Sequence, residues 1–267
     1  MWSNTYSTGH GKEARPHSWP WTVFIVVQKD ATGRESKCGG SIIDEYHVLT
    51  VAHCIFDLER VVYYSGPDKH VVAGMHHLDQ PEATTTQKRS IWRMSVPDET
   101  IRARNKDRFD LGMVTVDKPF QFDDYVQPVC LVEKPLTKDT KTCFLAGWGR
   151  TENSGGFAAG QLSKTLQQME AMVQPTERVC EPILGFDFET QICANGFGLA
   201  GPGKGDSGGA LVCKEGKGWV QHGVVVAGAN DLEFQTSFFE AMRIHRPAFM
   251  NWIKEEMKKR PPTDVAG

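Results

Sequence analysis

Three short segments of this 267-residue chain combine residue types that support nucleophilic chemistry. The sharpest is Gly205-Asp206-Ser207-Gly208-Gly209. Flanking glycines let the backbone turn tightly around a serine and aim its N–H groups at a developing oxyanion. A serine hydroxyl is a weak nucleophile alone, so a base is needed. Val48-Leu49-Thr50-Val51-Ala52-His53-Cys54 provides one, a β-type run ending in His53. Phe109-Asp110-Leu111-Gly112-Met113-Val114 places Asp110 at the mouth of another apolar run. A buried carboxylate there would hold the imidazole in one tautomer and stabilise its protonated form. The chemistry implied is acyl transfer through Ser207, with His53 as base and Asp110 as its orienting partner.

The elements that must position these residues are strands. Val- and Ile-rich runs recur at Trp21–Gln28, Val48–Ala52, Val61–Tyr64, Leu111–Val116, Cys143–Ala146, Leu211–Cys213 and Val220–Val226, separated by Gly, Pro, Asn and Asp clusters. Thr84–Ser90 and Glu152–Gln161 read as surface loops. Helical periodicity is scarce. It is clearest over Pro247–Lys259, where Phe249, Ile253 and Met257 fall on one face and Lys258-Lys259-Arg260 suits the C-terminal end of the dipole. A terminal helix packed on a β-core is preferred over a membrane-surface helix. With no repeat of 20–50 residues, a barrel or sandwich architecture leads.

Composition removes several classes. Thirty basic against 33 acidic residues, for a net charge of −3, give no reason to expect nucleic acid. The apolar run Phe24–Val27 is far short of the ~20 residues that span a bilayer. The first 20 residues lack the profile of a secretory signal. Seven cysteines, at 38, 54, 130, 143, 180, 193 and 213, show no C-x-x-C pair. Scattered in this way they point to disulfides and an oxidising compartment, with one sulfur left over.

In the order His53, Asp110, Ser207, the chain resembles the trypsin/chymotrypsin-like serine proteases. The resemblance runs from about Ala14 to Lys254. It also rests on Pro16-His17-Ser18-Trp19-Pro20-Trp21, Cys38-Gly39-Gly40-Ser41, Val126-Gln127-Pro128-Val129-Cys130-Leu131, Ala146-Gly147-Trp148-Gly149-Arg150 and Asn251-Trp252-Ile253. It implies an all-β fold of two packed antiparallel six-stranded β-barrels with a C-terminal helix. The expected organisation is an irregular segment 1–13, a protease domain 14–258 and a tail 259–267. Within the domain, barrel one covers about 14–118, barrel two about 119–246 and the helix about 247–258. Carried over to this chain, Gly205 and Ser207 would supply the oxyanion-hole N–H groups, and Asp206 would be the activation-linked carboxylate. Cys38 would pair with Cys54, Cys143 with Cys213 and Cys180 with Cys193, leaving Cys130 unpaired. Short loops such as the first and third typically add about 3 kcal/mol each.

The resemblance also implies peptide or protein substrates, protein protease inhibitors as potential partners, a monomer, a secreted or secretory-granule location, and no metal or other cofactor. The specificity pocket would involve Gly201, Pro202, Lys204, Val226 and Gly228. Gly201 stands where trypsins carry an Asp, so an apolar pocket is preferred over a basic-selective one, with Asp231 and Glu233 left as alternative carboxylates. Gly203 lacks the pocket-wall cysteine of many relatives, as in the chymase, cathepsin G and granzyme branch. Mature relatives begin Ile-Val-Gly-Gly. Here Thr8-Gly9-His10-Gly11 occupies those places, with no Lys or Arg ahead of Lys12. That departure opens an alternative class, a non-catalytic or zymogen-latched homologue. With Cys130, it also suggests that a propeptide segment lies outside this chain.

Weaker signals carry less. Gly203–Gly208 matches G-x-G-x-x-G, but Ala210–Cys213 reads as a strand where a dinucleotide fingerprint needs a helix. The His76-His77 pair reads as part of a solvated loop rather than a metal site. Met75, where some relatives have a glutamate, argues against calcium.

Overall fold

The computed structural model describes residues 11–102, 109–136, 143–151, 161–174, 186–196, 201–231 and 236–262. The apolar run that begins barrel one, β1 (Thr22–Gln28), is buried over nearly its whole length. It belongs to a closed ring with β2 (Glu35–Ile42), β3 (His47–Thr50), β4 (Lys69–Ala73), β5 (Gln87–Ser95) and β6 (Gly112–Val116), in the order β1-β2-β3-β6-β5-β4. Closure comes from antiparallel pairing of β1 with β4, Val23 opposite Ala73 and Val27 opposite Lys69.

The second ring comprises β7 (Cys143–Gly147), β8 (Gln167–Val173), β9 (Gln191–Asn195), β10 (Ala210–Glu215), β11 (Gly218–Asp231) and β12 (Thr236–Arg243). Its order, β7-β8-β9-β12-β11-β10, repeats that of the first, and pairing of β8 with β9 closes it. Two six-stranded antiparallel barrels therefore share one topology without a visible sequence repeat. The short strand Lys12–Glu13 adds to β8 opposite Gln168 and Gln167. Cys130–Leu131 runs parallel to β11.

Polar residues hid several strands. In β5, Gln87-Lys88-Arg89-Ser90 alternate between partly covered and exposed positions while pairing with β4, so the loop expected at Thr84–Ser90 gives way to strand from Gln87. A barrel wall with one solvated face accepts this alternation. The Val61–Tyr64 run forms only a two-residue strand, Val62–Tyr63, paired with Phe56–Asp57. The hairpin partner Gln161–Leu162 shortens the other expected loop, most of which lies outside the described residues. A short helix that periodicity did not reveal, α1 (Asp98–Arg102), precedes Asp110.

The C-terminal helix, α2 (Pro247–Glu256), starts on Pro247 and stops before Lys259. Proline at the first helical position costs no hydrogen bond. Phe249 and Ile253 are buried and join the main hydrophobic cluster, which draws on both barrels, with Met257 packed against it. No described helix is long and apolar enough to cross a membrane.

Candidate active site

His53 sits on a single 3₁₀ turn, Ala52–Cys54, immediately after β3. Both flanking residues are buried, and Cys54 is bonded to Cys38 on β2, so the turn is fastened to the barrel wall. Asp110 lies two residues before β6 and is only 2% exposed. Its carboxylate holds His53 at two points. Oδ1 accepts the His53 backbone N–H at 2.9 Å and Oδ2 accepts Nδ1–H at 2.6 Å. A carboxylate can only accept here, so the proton is on Nδ1 and the lone pair of the neutral ring is on Nε2. The Tyr64 hydroxyl adds a hydrogen bond to the His53 carbonyl at 3.3 Å. Thr100 of α1 donates to the Phe109 carbonyl, fixing the residue before Asp110.

Ser207 reaches the same region from barrel two. Its carbonyl accepts the N–H of Gly39 on β2 at 2.8 Å, docking the loop against barrel one. Gly208 N–H donates to Val225 O at 2.7 Å and Gly209 N–H to Asp206 O at 2.9 Å, so the loop is held on both sides of the serine. The Ser207 hydroxyl donates to the Val226 carbonyl at 3.1 Å. Gly205 has φ +109°, a conformation L side chains rarely adopt. Among the described residues the N–H groups of Gly205 and Ser207 are engaged by no acceptor, which leaves two donors beside the hydroxyl.

Asp206 points away from the serine. Its Oδ1 accepts Gly149 N–H at 2.7 Å and its Oδ2 accepts Gly203 N–H at 2.8 Å. A Cβ at Gly149 would stand 2.0 Å from Oδ2, so only glycine admits this approach. Burial raises the carboxyl's pKa from its ordinary 3.8 to about 6, and the two N–H groups offset only part of that rise. The residue keeps some accessible surface where it borders a cavity of about 30 Å³ shared with Gly11, Gly147, Gly149 and Gly201. Its carboxylate is nevertheless wedged among backbone atoms, and that enclosure governs its ionisation.

Around the expected specificity pocket, Pro202 and Val226 are buried, Gly201 and Gly228 partly so, and Lys204 exposed. The Pro202 ring packs over Gly228, where an added Cβ would meet it at 3.3 Å. A residue not anticipated in the sequence, Phe239, stands directly opposite Gly228 in the β11–β12 register and is 0% exposed. Opposed residues share a sheet face, so Phe239 lies on the Gly228 side. The adjacent Glu240 pairs with Ala227 on the other face, where Gln191 donates to its carboxylate at 2.9 Å. The side chain of Asp231, and all of Glu233, lie outside the described residues. The only signal for Phe239 was its place in the Phe238-Phe239 run, whose strand register was not legible.

Cys143 and Cys213 form a second disulfide, and Cys193 is also disulfide-bonded. Its expected partner, Cys180, lies outside the described residues. Cys130 is a free, exposed thiol. Cys38, His53 and Cys54 bring three donor atoms together, but the two sulfurs are spent on their mutual bond, so the cluster cannot ligate metal. His76 departs from the solvated-loop expectation. It is 2% exposed, its Nε2–H donates to Glu13 Oε1 at 3.0 Å, and its carbonyl accepts Trp148 Nε1–H at 3.0 Å.

The profile of the family described as Trypsin matches residues 8–253. Granzyme B of Rattus norvegicus is 30% identical, with 93% of this chain and 90% of that protein covered. Chymotrypsin-C of Bos taurus is 29% identical over 93% of this chain and 88% of its own length. Cathepsin G of Mus musculus is 29% identical over 94% and 86%. Among solved structures, neuropsin, a serine protease expressed in the limbic system of mouse brain, superposes with a TM-score of 0.72 at 25% identity, covering 92% of this chain and 98% of its own.

Proposed function

The chain belongs to the trypsin family, whose members here are serine endopeptidases, and from that premise we propose that its own peptide-bond hydrolysis runs through Ser207, His53 and Asp110. The observation that carries this reading is the double hold of Asp110 on His53, at 2.9 and 2.6 Å. It leaves Nε2 able to accept a proton. For attack, the Ser207 hydroxyl turns from the Val226 carbonyl toward Nε2. Its oxygen bonds to the scissile carbonyl carbon while the proton passes to His53. The oxyanion is received by the N–H groups of Gly205 and Ser207. His53 then protonates the leaving amine as the C–N bond breaks, and water releases the acyl group by the reverse sequence.

Primary specificity is apolar in this reading. Pro202, Val226, Gly228 and Phe239 present no charge, and the Glu240 carboxylate lies on the opposite sheet face. Substrates are peptides or proteins, with protein protease inhibitors as further partners and a monomer as the working form. The disulfides support an oxidising compartment, secreted or granular.

A second reading, a latched homologue, draws on the Ser207 hydroxyl bond to Val226 O. A fluorophosphonate probe separates the two. The native protein is expected to be labelled at Ser207, with labelling lost in Ser207→Ala, and to cleave peptides with Phe, Tyr, Leu or Met before the scissile bond faster than those with Lys or Arg. A folded protein that neither labels nor turns over would support the latched form.

A further inference from the structure

Donors that receive an oxyanion must be aimed before the substrate arrives, so whatever fixes the Lys204-Gly205 peptide bears on turnover. That peptide is gripped by the hairpin of Arg150–Thr151 and Gln161–Leu162. The Arg150 N–H donates to the Lys204 carbonyl at 2.9 Å. A trans peptide is planar, so this bond turns the Gly205 N–H to the opposite side, away from the hairpin. The Arg150 carbonyl also lies close against Gly203, where a Cβ would stand 2.3 Å from it. One short strand is thus laid along both residues that precede Gly205.

A side chain from the other strand completes the grip. A Cβ on Gly205 would stand 2.7 Å from Leu162 Cδ2, so that methyl group fills the space beside the Gly205 Cα. Gly205 holds φ +109°, a conformation that glycine reaches at little cost and leaves as easily. Turning its peptide over needs room, and Leu162 occupies that room. Leu162 is itself held on both sides. Its backbone pairs with Arg150. The next residue, Ser163, shares its N–H between the Trp148 and Gly149 carbonyls at 3.1 and 3.3 Å. Trp148 is buried, and its Nε1–H donates to the His76 carbonyl at 3.0 Å. The brace is therefore rooted in the core rather than in the loop it supports.

We propose that Leu162 is a positioning residue for the oxyanion donors. Packed on Gly205 while the Arg150 N–H holds the Lys204 carbonyl, it keeps the Lys204-Gly205 peptide from turning over. Its effect on rate rests on the proposed hydrolysis through Ser207, whereas the brace itself is a property of the loop. Leu162 acts on the reaction through Gly205, not by contact with the reacting atoms.

The test compares the native protein with Leu162→Ala and Leu162→Met in three measurements. These are cleavage of a peptide with Phe before the scissile bond, binding of a peptide boronate carrying the same Phe, and amide hydrogen exchange. The tetrahedral boronate adduct places an oxygen where the oxyanion forms, so its affinity reads the donors directly. Leu162→Ala should lower kcat about 10- to 100-fold with KM within about twofold, and weaken the boronate by a similar factor. Leu162→Met refills the space and should recover most of both. Exchange at the Arg150 and Asp206 amides, bonded to the Lys204 and Gly203 carbonyls, should be at least about tenfold faster in Leu162→Ala. If Leu162→Ala unfolds at the assay temperature, Leu162→Val replaces it. A raised KM with unchanged kcat would make Leu162 a substrate contact and overturns the proposal. Unchanged exchange, or unchanged kcat in an active enzyme, overturns it equally. Should the native protein show no turnover, faster exchange in Leu162→Ala would uphold the brace while the proposed hydrolysis falls.

Discussion

A carboxylate whose donors among the described residues are both backbone N–H groups has a measurable signature at Asp206. Its pKa rises from 3.8 to about 6, so the folded protein holds the proton more tightly than the unfolded chain. Stability associated with this group is therefore greatest below pH 3.8, falls as pH rises to about 6, and is level above that. The full change is at most about 3 kcal/mol. Comparing urea denaturation of the native protein and Asp206→Asn across that window should show the native curve losing stability relative to the variant. Parallel curves would mean that the carboxylate finds a cationic partner. The contrast with Asp110 is instructive. Asp110 is also enclosed, but among the described residues its two hydrogen bonds are both to His53, so its geometry serves another side chain. The chain order of His53, Asp110 and Ser207 was readable from motifs. That Asp206 would rest on Gly149 and Gly203 was not, because those contacts join residues from separate loops.

Among the elements, α2 is the one whose sequence pattern and burial agree most directly. Phe249 and Ile253, four apart, both join the main buried core. At its far end, His47 Nε2–H donates to the Lys259 carbonyl at 3.1 Å, and Asp44 accepts from His47 Nδ1 at 2.8 Å when the ring carries both protons. Ile253→Ala should cost about 2–5 kcal/mol in a denaturant midpoint measurement, while the turnover of folded enzyme stays near normal. A lost turnover at intact stability would instead place α2 in the mechanism. Strands were harder to read. β1 and β6 are mostly apolar because both of their faces are covered almost end to end. β5 and β8 expose one face, so Gln, Lys, Arg and Glu break the run and conceal the strand.

At the scale of the whole molecule, the site exists because two barrels meet. His53 and Asp110 come from the first, Ser207 from the second, and the Gly39–Ser207 backbone bond spans the join. A second join is fully buried, with Ser41 Oγ on β2 donating to Gln221 Oε1 on β11 at 2.8 Å. Ser41→Ala would strand that amide oxygen in the interface. The expected loss is about 1–3 kcal/mol of unfolding free energy, with turnover falling in step as the barrels separate. An unchanged unfolding curve would show that water enters to replace the hydroxyl.

The sequence by itself pointed to the proposed chemistry. A serine among glycines, a histidine ending an apolar run and an aspartate opening another have meanings fixed by local residue type and order. It also determined the β-class and the two described disulfide pairings that the resemblance implied. Only the tertiary structure decided how those groups stand toward one another. The Asp110 clasp on His53, the Ser207 hydroxyl on Val226 and Phe239 opposite Gly228 all depend on contacts between distant segments. The physical reason is register. Side-chain type is set residue by residue, but strand pairing and barrel closure decide which faces meet, and a shift of one residue would turn each face the other way.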